Sequence, residues 1–152
     1  MVVLSGHFVQ KKSRLGEILL KRKTVVREQL NRALKLQKKE KIFIGEILTN
    51  LGFVSEKDIV AALSEQCYFP YIAIDQYEIN KEVLNIIPRQ VAYKHHLVPL
   101  DCVGNILSIV MSNPLDSSLI QKLKEDTNCE IVPFISTRME IDQALNNVYG
   151  GN

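Results

Sequence analysis

Leu30, Ala33 and Leu34 recur at helical spacing, and the flanking polar residues fall on the other face. The pattern predicts helices over Leu15–Lys21, 27–39, Ile44–Asn50 and 56–67. Tyr68-Phe69-Pro70 then breaks the periodicity. A short strand is expected over 71–74, then a stretch alternating between helix and turn over 81–93, with Pro88 opening a new helical turn. The apolar runs 97–101 and Ile106–Met111 flank Cys102-Val103-Gly104-Asn105 and predict an antiparallel hairpin. Ser112-Asn113-Pro114 leads into a helix over about 115–126, followed by a strand over Glu130–Ile135 and a last helix over 138–148. The expected fold class is α+β. A helical subdomain of two repeated helix-turn-helix units precedes a small mixed subdomain of order β-α-β-β-α-β-α. The corresponding segments are a leader over 1–13, the repeats over 14–67 and the mixed subdomain over 68–152.

The two helix-turn-helix units are copies. Residues 14–37 align with 43–66 at a spacing of 29 without a gap. Gly16 meets Gly45, Glu17 meets Glu46, Ile18 meets Ile47, Leu19 meets Leu48, Val25 meets Val54, Ala33 meets Ala62 and Gln37 meets Gln66. Duplicated supersecondary pieces bury their apolar faces against each other. Paired copies also offer paired sites to a ligand that is itself two-fold. The copies differ at their turns. Copy two has Gly52 where a left-handed C-cap glycine belongs, and Ser55 with Asp58 in capping-box spacing. Copy one has Lys23 and Val26 instead, so its turn should be less well specified.

Composition narrows the class. With 46% hydrophobic and 24% charged residues the chain is an ordinary globular protein, one domain or two small ones. No apolar run approaches a membrane span, so no direct membrane insertion is expected. Cys67, Cys102 and Cys129 lack CxxC spacing, which suits buried thiols in a reducing cytoplasm. Charge is uneven: residues 1–42 carry twelve Lys or Arg against three Glu, a net +9, and the rest carries seven against fourteen Asp or Glu, a net −7. A basic segment invites an anionic partner, or is a solvated helix face. Aromatics are nearly absent among those basic residues, which argues against stacking on single-stranded nucleic acid.

Motifs for catalysis are missing. There is no GxxxxGKS or GxxxxGKT, no HExxH and no GxSxG. His95 and His96 are adjacent, so they diverge on a helix or strand rather than share a metal. Neither a catalytic site, a metal nor a cofactor is expected.

The paired motif resembles the MshEN-type domain at the N-terminus of type II secretion and type IV pilus assembly ATPases. Arg14-Leu15-Gly16, Leu19-Leu20, Val25, Leu30, Leu34 and Gln37 fit the first copy; Ile44-Gly45, Leu48, Gly52, Phe53-Val54, Ile59, Leu63 and Gln66 fit the second. The segments IIPRQVAYKHHLVPL and IVMSNPLD are similar to the family's second subdomain. The ATPase motor that follows in the family has no counterpart in the chain. The resemblance implies a non-catalytic regulatory module that binds cyclic di-GMP through two tandem motifs and serves a type II secretion or type IV pilus system. The implied ligand residues are Arg14, Leu15, Gly16, Leu19, Leu20, Gln37, Phe43, Ile44, Gly45, Leu48 and Gln66, with Asn113 and Asp116 closing the site from the second subdomain.

The chemistry of these residues suits such a ligand. A glycine lets backbone approach a phosphate or base, arginine pairs with phosphate or stacks on guanine, aliphatics sandwich a base, and glutamine offers donor and acceptor. Phe43 stands where the second copy's arginine belongs, Lys23 replaces a glycine, and Thr24 and Thr49 replace aliphatics. These departures favour an alternative, a protein-docking module of a secretion or pilus apparatus without bound nucleotide.

Overall fold

The computed structural model describes residues 15–150, the Gln66 side chain excepted. The leader and Arg14 lie outside the described residues. The chain divides into two compact units between Ala62 and Leu63, inside the fourth helix.

The first unit is built from the repeats. Copy one supplies α1 (Leu15–Lys21) and α2 (Arg27–Glu40); copy two supplies α3 (Ile44–Asn50) and α4 (Glu56–Gln66). α3 packs on both α1 and α2. Ile18, Leu19, Val25, Leu30 and Ala33 of copy one are buried, as are Ile47, Leu48, Val54, Ile59 and Ala62 of copy two. These are the same repeat positions, so one apolar pattern, used twice, makes the core. Leu34, read from its spacing as part of that stripe, is 37% exposed. α2 turns only Leu30 and Ala33 fully inward and gives the rest of its surface to polar and basic side chains.

The turns after α1 and α3 close identically. Lys23 N–H donates to Leu20 O at 3.0 Å and Thr24 N–H to Leu19 O at 2.9 Å. Gly52 N–H donates to Thr49 O and Phe53 N–H to Leu48 O, both at 3.0 Å. Lys23 takes the left-handed conformation at φ 58° that Gly52 takes at 75°. The first turn thus closes without its glycine: burial of Leu19 and Val25 on either side holds the lysine backbone where glycine would sit without strain. At the start of α4 the Ser55–Asp58 box forms, with bonds of 2.9 and 3.1 Å. Copy one keeps half of it, because Gln29 Oε1 accepts from Val26 N–H at 3.0 Å.

The second unit centres on a three-stranded sheet of order β1-β2-β3. β1 (Leu97–Val103) and β2 (Ile106–Met111) form the expected hairpin, with a register shift between Pro99 and Asp101. α6 (Ser117–Thr127) crosses over to β3 (Glu130–Ile135), which lies parallel to β2. α5 (Arg89–His95) and α7 (Arg138–Tyr149) pack against each other and on β1. Leu97, Val98, Leu107, Ile109, Val110 and Ile141 are fully buried between these layers.

Two expected elements change. The strand at 71–74 reduces to a single bridge, Tyr71 to Ile135, with Ile72 N–H donating to Ile135 O at 3.1 Å. Pro70 has no N–H to extend the ladder, and Ile74–Gln76 turns into a 3-10 segment. The stretch 81–93 splits at Pro88 into a 3-10 segment, Lys81–Asn85, and α5. Among the described residues no helix is long and apolar enough to cross a membrane.

The second unit also holds a polar knot around Ser136. Ser136 is its one buried polar residue among those described, and its hydroxyl donates to Glu140 Oε2. Tyr71 OH donates to Glu140 Oε1 at 2.9 Å, and Thr137 N–H to Oε2 at 3.2 Å. Burial pushes the Glu140 carboxyl up, but these donors outweigh it and hold the group below its ordinary value. Thr137 and Glu140 form a capping box at the start of α7, and Tyr71 ties it to the segment before the sheet.

Candidate functional site

The residues singled out in the repeats fall into two groups. Leu15, Gly16, Phe43 and Gly45 gather where the starts of α1 and α3 meet. A Cβ on Gly45 would stand 2.8 Å from Phe43 Cε1 and 3.2 Å from Leu15 Cδ2. A Cβ on Gly16 would stand 2.7 Å from Leu30 Cδ1. Each glycine thus admits a close apolar neighbour, which is a packing reason for glycine that its sequence position alone does not reveal. Both are helical, and neither has positive φ. Phe43 folds its ring back over Gly45 at the N-cap position of α3.

The aliphatics are the second group. Leu15 is 2% exposed, Leu19 and Leu48 0%, and Ile44 8%. Fully enclosed, Leu19 and Leu48 belong to the core and offer a ligand no surface. Leu20 and Phe43 are half-buried and do present surface. Thr49, at the repeat position of Leu20, donates its hydroxyl to Gly45 O at 2.7 Å and so serves its own helix.

Gln37 Nε2 donates to Ile42 O at 3.0 Å, tying the end of α2 to the spacer between the copies. Its Oε1 takes no donor among the described residues. The turn at Lys41, φ 54°, brings the Ile42 carbonyl within reach. The matching Gln66 ends α4, its side chain outside the described residues, as is Arg14. Sequence reading missed Arg32, whose guanidinium stands 5.8 Å from the Phe53 ring centroid and joins α2 to the turn of copy two.

Asn113 and Asp116 lie in the second unit. Asp116 N–H donates to Asn113 O at 3.2 Å. Asp116 Oδ1 caps α6, accepting from Leu119 N–H at 3.0 Å and Ser118 Oγ at 2.8 Å, so a local duty occupies it. Asn113 Oδ1 is buried without a hydrogen-bond partner, an acceptor still open. Burial, with Lys94 beside it, holds His95 below its ordinary value. His96 points elsewhere: Nδ1 meets Asp142 Oδ1 at 2.7 Å, and Nε2 meets the Arg138 guanidinium at 2.8 Å. A guanidinium only donates, so Nε2 accepts and the Nδ1–H donates to Asp142. Among the described residues no group of three or more His, Cys, Asp or Glu is placed to hold a metal.

Residues 69–152, more than half of the chain, match the MshEN domain. The chain belongs to the MshEN domain family. The matched span is that of the second subdomain, and the tandem repeat precedes it. The MshEN chain is 28% identical over 136 residues to the type IV pilus assembly ATPase PilB of Myxococcus xanthus, covering 90% of this chain and 24% of that protein. It is 27% identical over 143 residues to the type II secretion system protein E of Xanthomonas campestris pv. campestris, covering 91% of this chain and 25% of the relative. The chain therefore spans about a quarter or less of the curated relatives it matches. In fold, this MshEN domain matches the structure of MshE with cdg at a TM-score of 0.77 and 24% identity, over 91% of this chain and 100% of that one. The N-terminal domain of XpsE gives 0.75 at 23% identity, over 90% and 94% of the two chains.

Proposed function

We propose that this MshEN domain is a non-catalytic regulatory module that binds cyclic di-GMP on its tandem repeats and serves a type II secretion or type IV pilus system from the cytoplasm. The observation that carries the reading is the pairing of the copies. Two repeats with superimposable turns bring the starts of α1 and α3 together at Leu15, Phe43 and Gly45. A two-fold dinucleotide has one half for each copy. The likeness of the fold to MshE, whose structure holds cdg, supports the same ligand here. Within the site, the open Oε1 of Gln37 suits the N–H donors on a guanine edge, and Leu20 with Phe43 supplies half-exposed apolar surface for a base. Arg14 supplies the cation.

One observation favours a second reading, a docking module without nucleotide: Phe43 folds over Gly45, the place where the second copy would meet its half of the ligand. Isothermal titration of the chain with cyclic di-GMP, beside GMP and ATP, separates the two. Saturable binding of cyclic di-GMP alone, one per chain and weakened at least tenfold by Arg14→Ala or Gln37→Ala, is expected. Absence of heat and of a thermal shift at high ligand concentration would leave the docking reading.

A further inference from the structure

A cleft of about 460 Å³ opens in the second unit between α7 and the chain from Ile74 to Leu84. The proposed nucleotide binding does not use it. Buried Ile74 and Ala144 form its floor, and half-buried Ile79, Leu84 and Val148 extend that apolar surface. Charge lines the walls. Asp75, Glu78 and Lys81 stand exposed on one side and Glu140 half-buried on the other, three carboxylates against one ammonium. Among the described residues the side chains of Asp75, Glu78 and Lys81 take no hydrogen bond or ion pair. Glu140 differs, since Ser136, Tyr71 and Thr137 all donate to it. Burial opposes its charge, but those bonds outweigh burial, so it is ionised at neutral pH. The exposed ring of Tyr77 adds an aromatic face.

Two tyrosines fix the walls. Tyr71 OH donates to Glu140 Oε1 at 2.9 Å, and Tyr149 OH donates to Leu84 O at 3.0 Å. Asn80 N–H donates to Leu100 O at 3.3 Å and ties the 74–84 wall to β1. The cleft is therefore pre-formed and needs little ordering when filled. A cavity of this size takes a small organic molecule. The unneutralised carboxylates favour a cation, and the apolar floor with Tyr77 favours one carrying an aliphatic stem. Among the described residues no group of three His, Cys, Asp or Glu is placed to hold a metal, which leaves an organic cation.

We propose that this cleft binds a linear aliphatic polyamine, its ammonium groups on Asp75 and Glu78 and its methylenes over Ile79, Leu84 and Val148. Glu140 adds its charge from the facing wall, and Tyr77 offers a cation–π contact. Lys81 opposes the ligand and holds the affinity below what the carboxylates alone would give.

The test is an amide NMR titration of the full chain with spermidine. Magnesium chloride at matched ionic strength and the equally charged peptide N-acetyl-trilysine amide serve as comparisons. Saturable shifts at Asp75, Tyr77, Glu78, Gln143 and Asn147, at one spermidine per chain and without a magnesium counterpart, are expected. Asp75→Asn combined with Glu78→Gln should weaken binding at least tenfold, whereas Lys81→Gln on the same wall should tighten it about twofold. These three positions are exposed, and titration of the unmutated chain decides the matter even where a variant fails to fold. Shifts that scatter over the exposed carboxylates without saturating would overturn the proposal, as would magnesium reproducing them. So would tighter binding of the trilysine peptide than of spermidine, which would make the cleft a docking groove for a basic protein segment.

Discussion

Lys23 and Gly52 occupy the same left-handed position, 29 residues apart, at φ 58° and 75°. The hydrogen bonds that close their turns differ by no more than 0.1 Å. One is a residue suited to that conformation and the other is not. What the copies share is the apolar frame around the turn: Leu19 and Val25 in one, Leu48 and Val54 in the other, all buried. The frame dictates the backbone, and the local residue only sets how much strain it bears. Capping follows the same division. Ser55 and Asp58 close both halves of a box in copy two, while in copy one Gln29 closes one half and Val26 cannot supply the other. Copy two is the better locally specified, and copy one is held by its neighbours.

Substitutions break this comparison in order of size. Leu19→Ala and Leu48→Ala each remove a fully buried side chain from the shared frame. Each should cost about 2–5 kcal/mol in urea unfolding, and the two costs should match. A large inequality would mean the copies are not equivalent supports. Glycine replacement should separate them next. At Gly16 an added Cβ meets Leu30, itself buried, so Gly16→Ala should destabilise by about 1–3 kcal/mol. At Gly45 it meets the half-buried Phe43 ring most closely and buried Leu15 at 3.2 Å; because the nearer neighbour is partly exposed, Gly45→Ala should cost less than Gly16→Ala. The reverse order in thermal melts would contradict the packing described.

The turns should give effects of opposite sign. Lys23→Gly relieves a left-handed lysine and should stabilise by about 1 kcal/mol, while Gly52→Ala should cost about as much. Equal, negligible changes would mean the strain is absent. The caps should give effects no larger than the turns. Ser55→Ala should lose about 1 kcal/mol, and Val26→Ser should gain up to about that amount as it completes the box with Gln29. Differential scanning calorimetry on the four turn and cap variants reads all of them on one scale.

Helix and hairpin positions were legible because each depends on local pattern: α1, α3, β2 and β3 fall on the residues that periodicity and turn signals mark. The strand at 71–74 was not, because its alternation needs a partner along its whole length, and Ile135 supplies only one bridge. In the site, sequence could not separate leucines that line a ligand from leucines that fill a core, since both are apolar at helical spacing. Leu19 and Leu48 proved to be core. Nor could it foresee that Gln37 spends its amide N–H on the Ile42 carbonyl, a bond that exists only once Lys41 turns the chain. Asp116 shows the same limit, being both a motif residue and the cap of α6.

The account stands on both copies serving one two-fold ligand. The direct measurement is an amide NMR titration of the isotopically labelled chain with cyclic di-GMP. Saturating shifts at the start of α1, at the start of α3 and at Gln37, moving together to a single end point at one ligand per chain, are the expected result. Shifts confined to one copy, or no shifts in either, would contradict it.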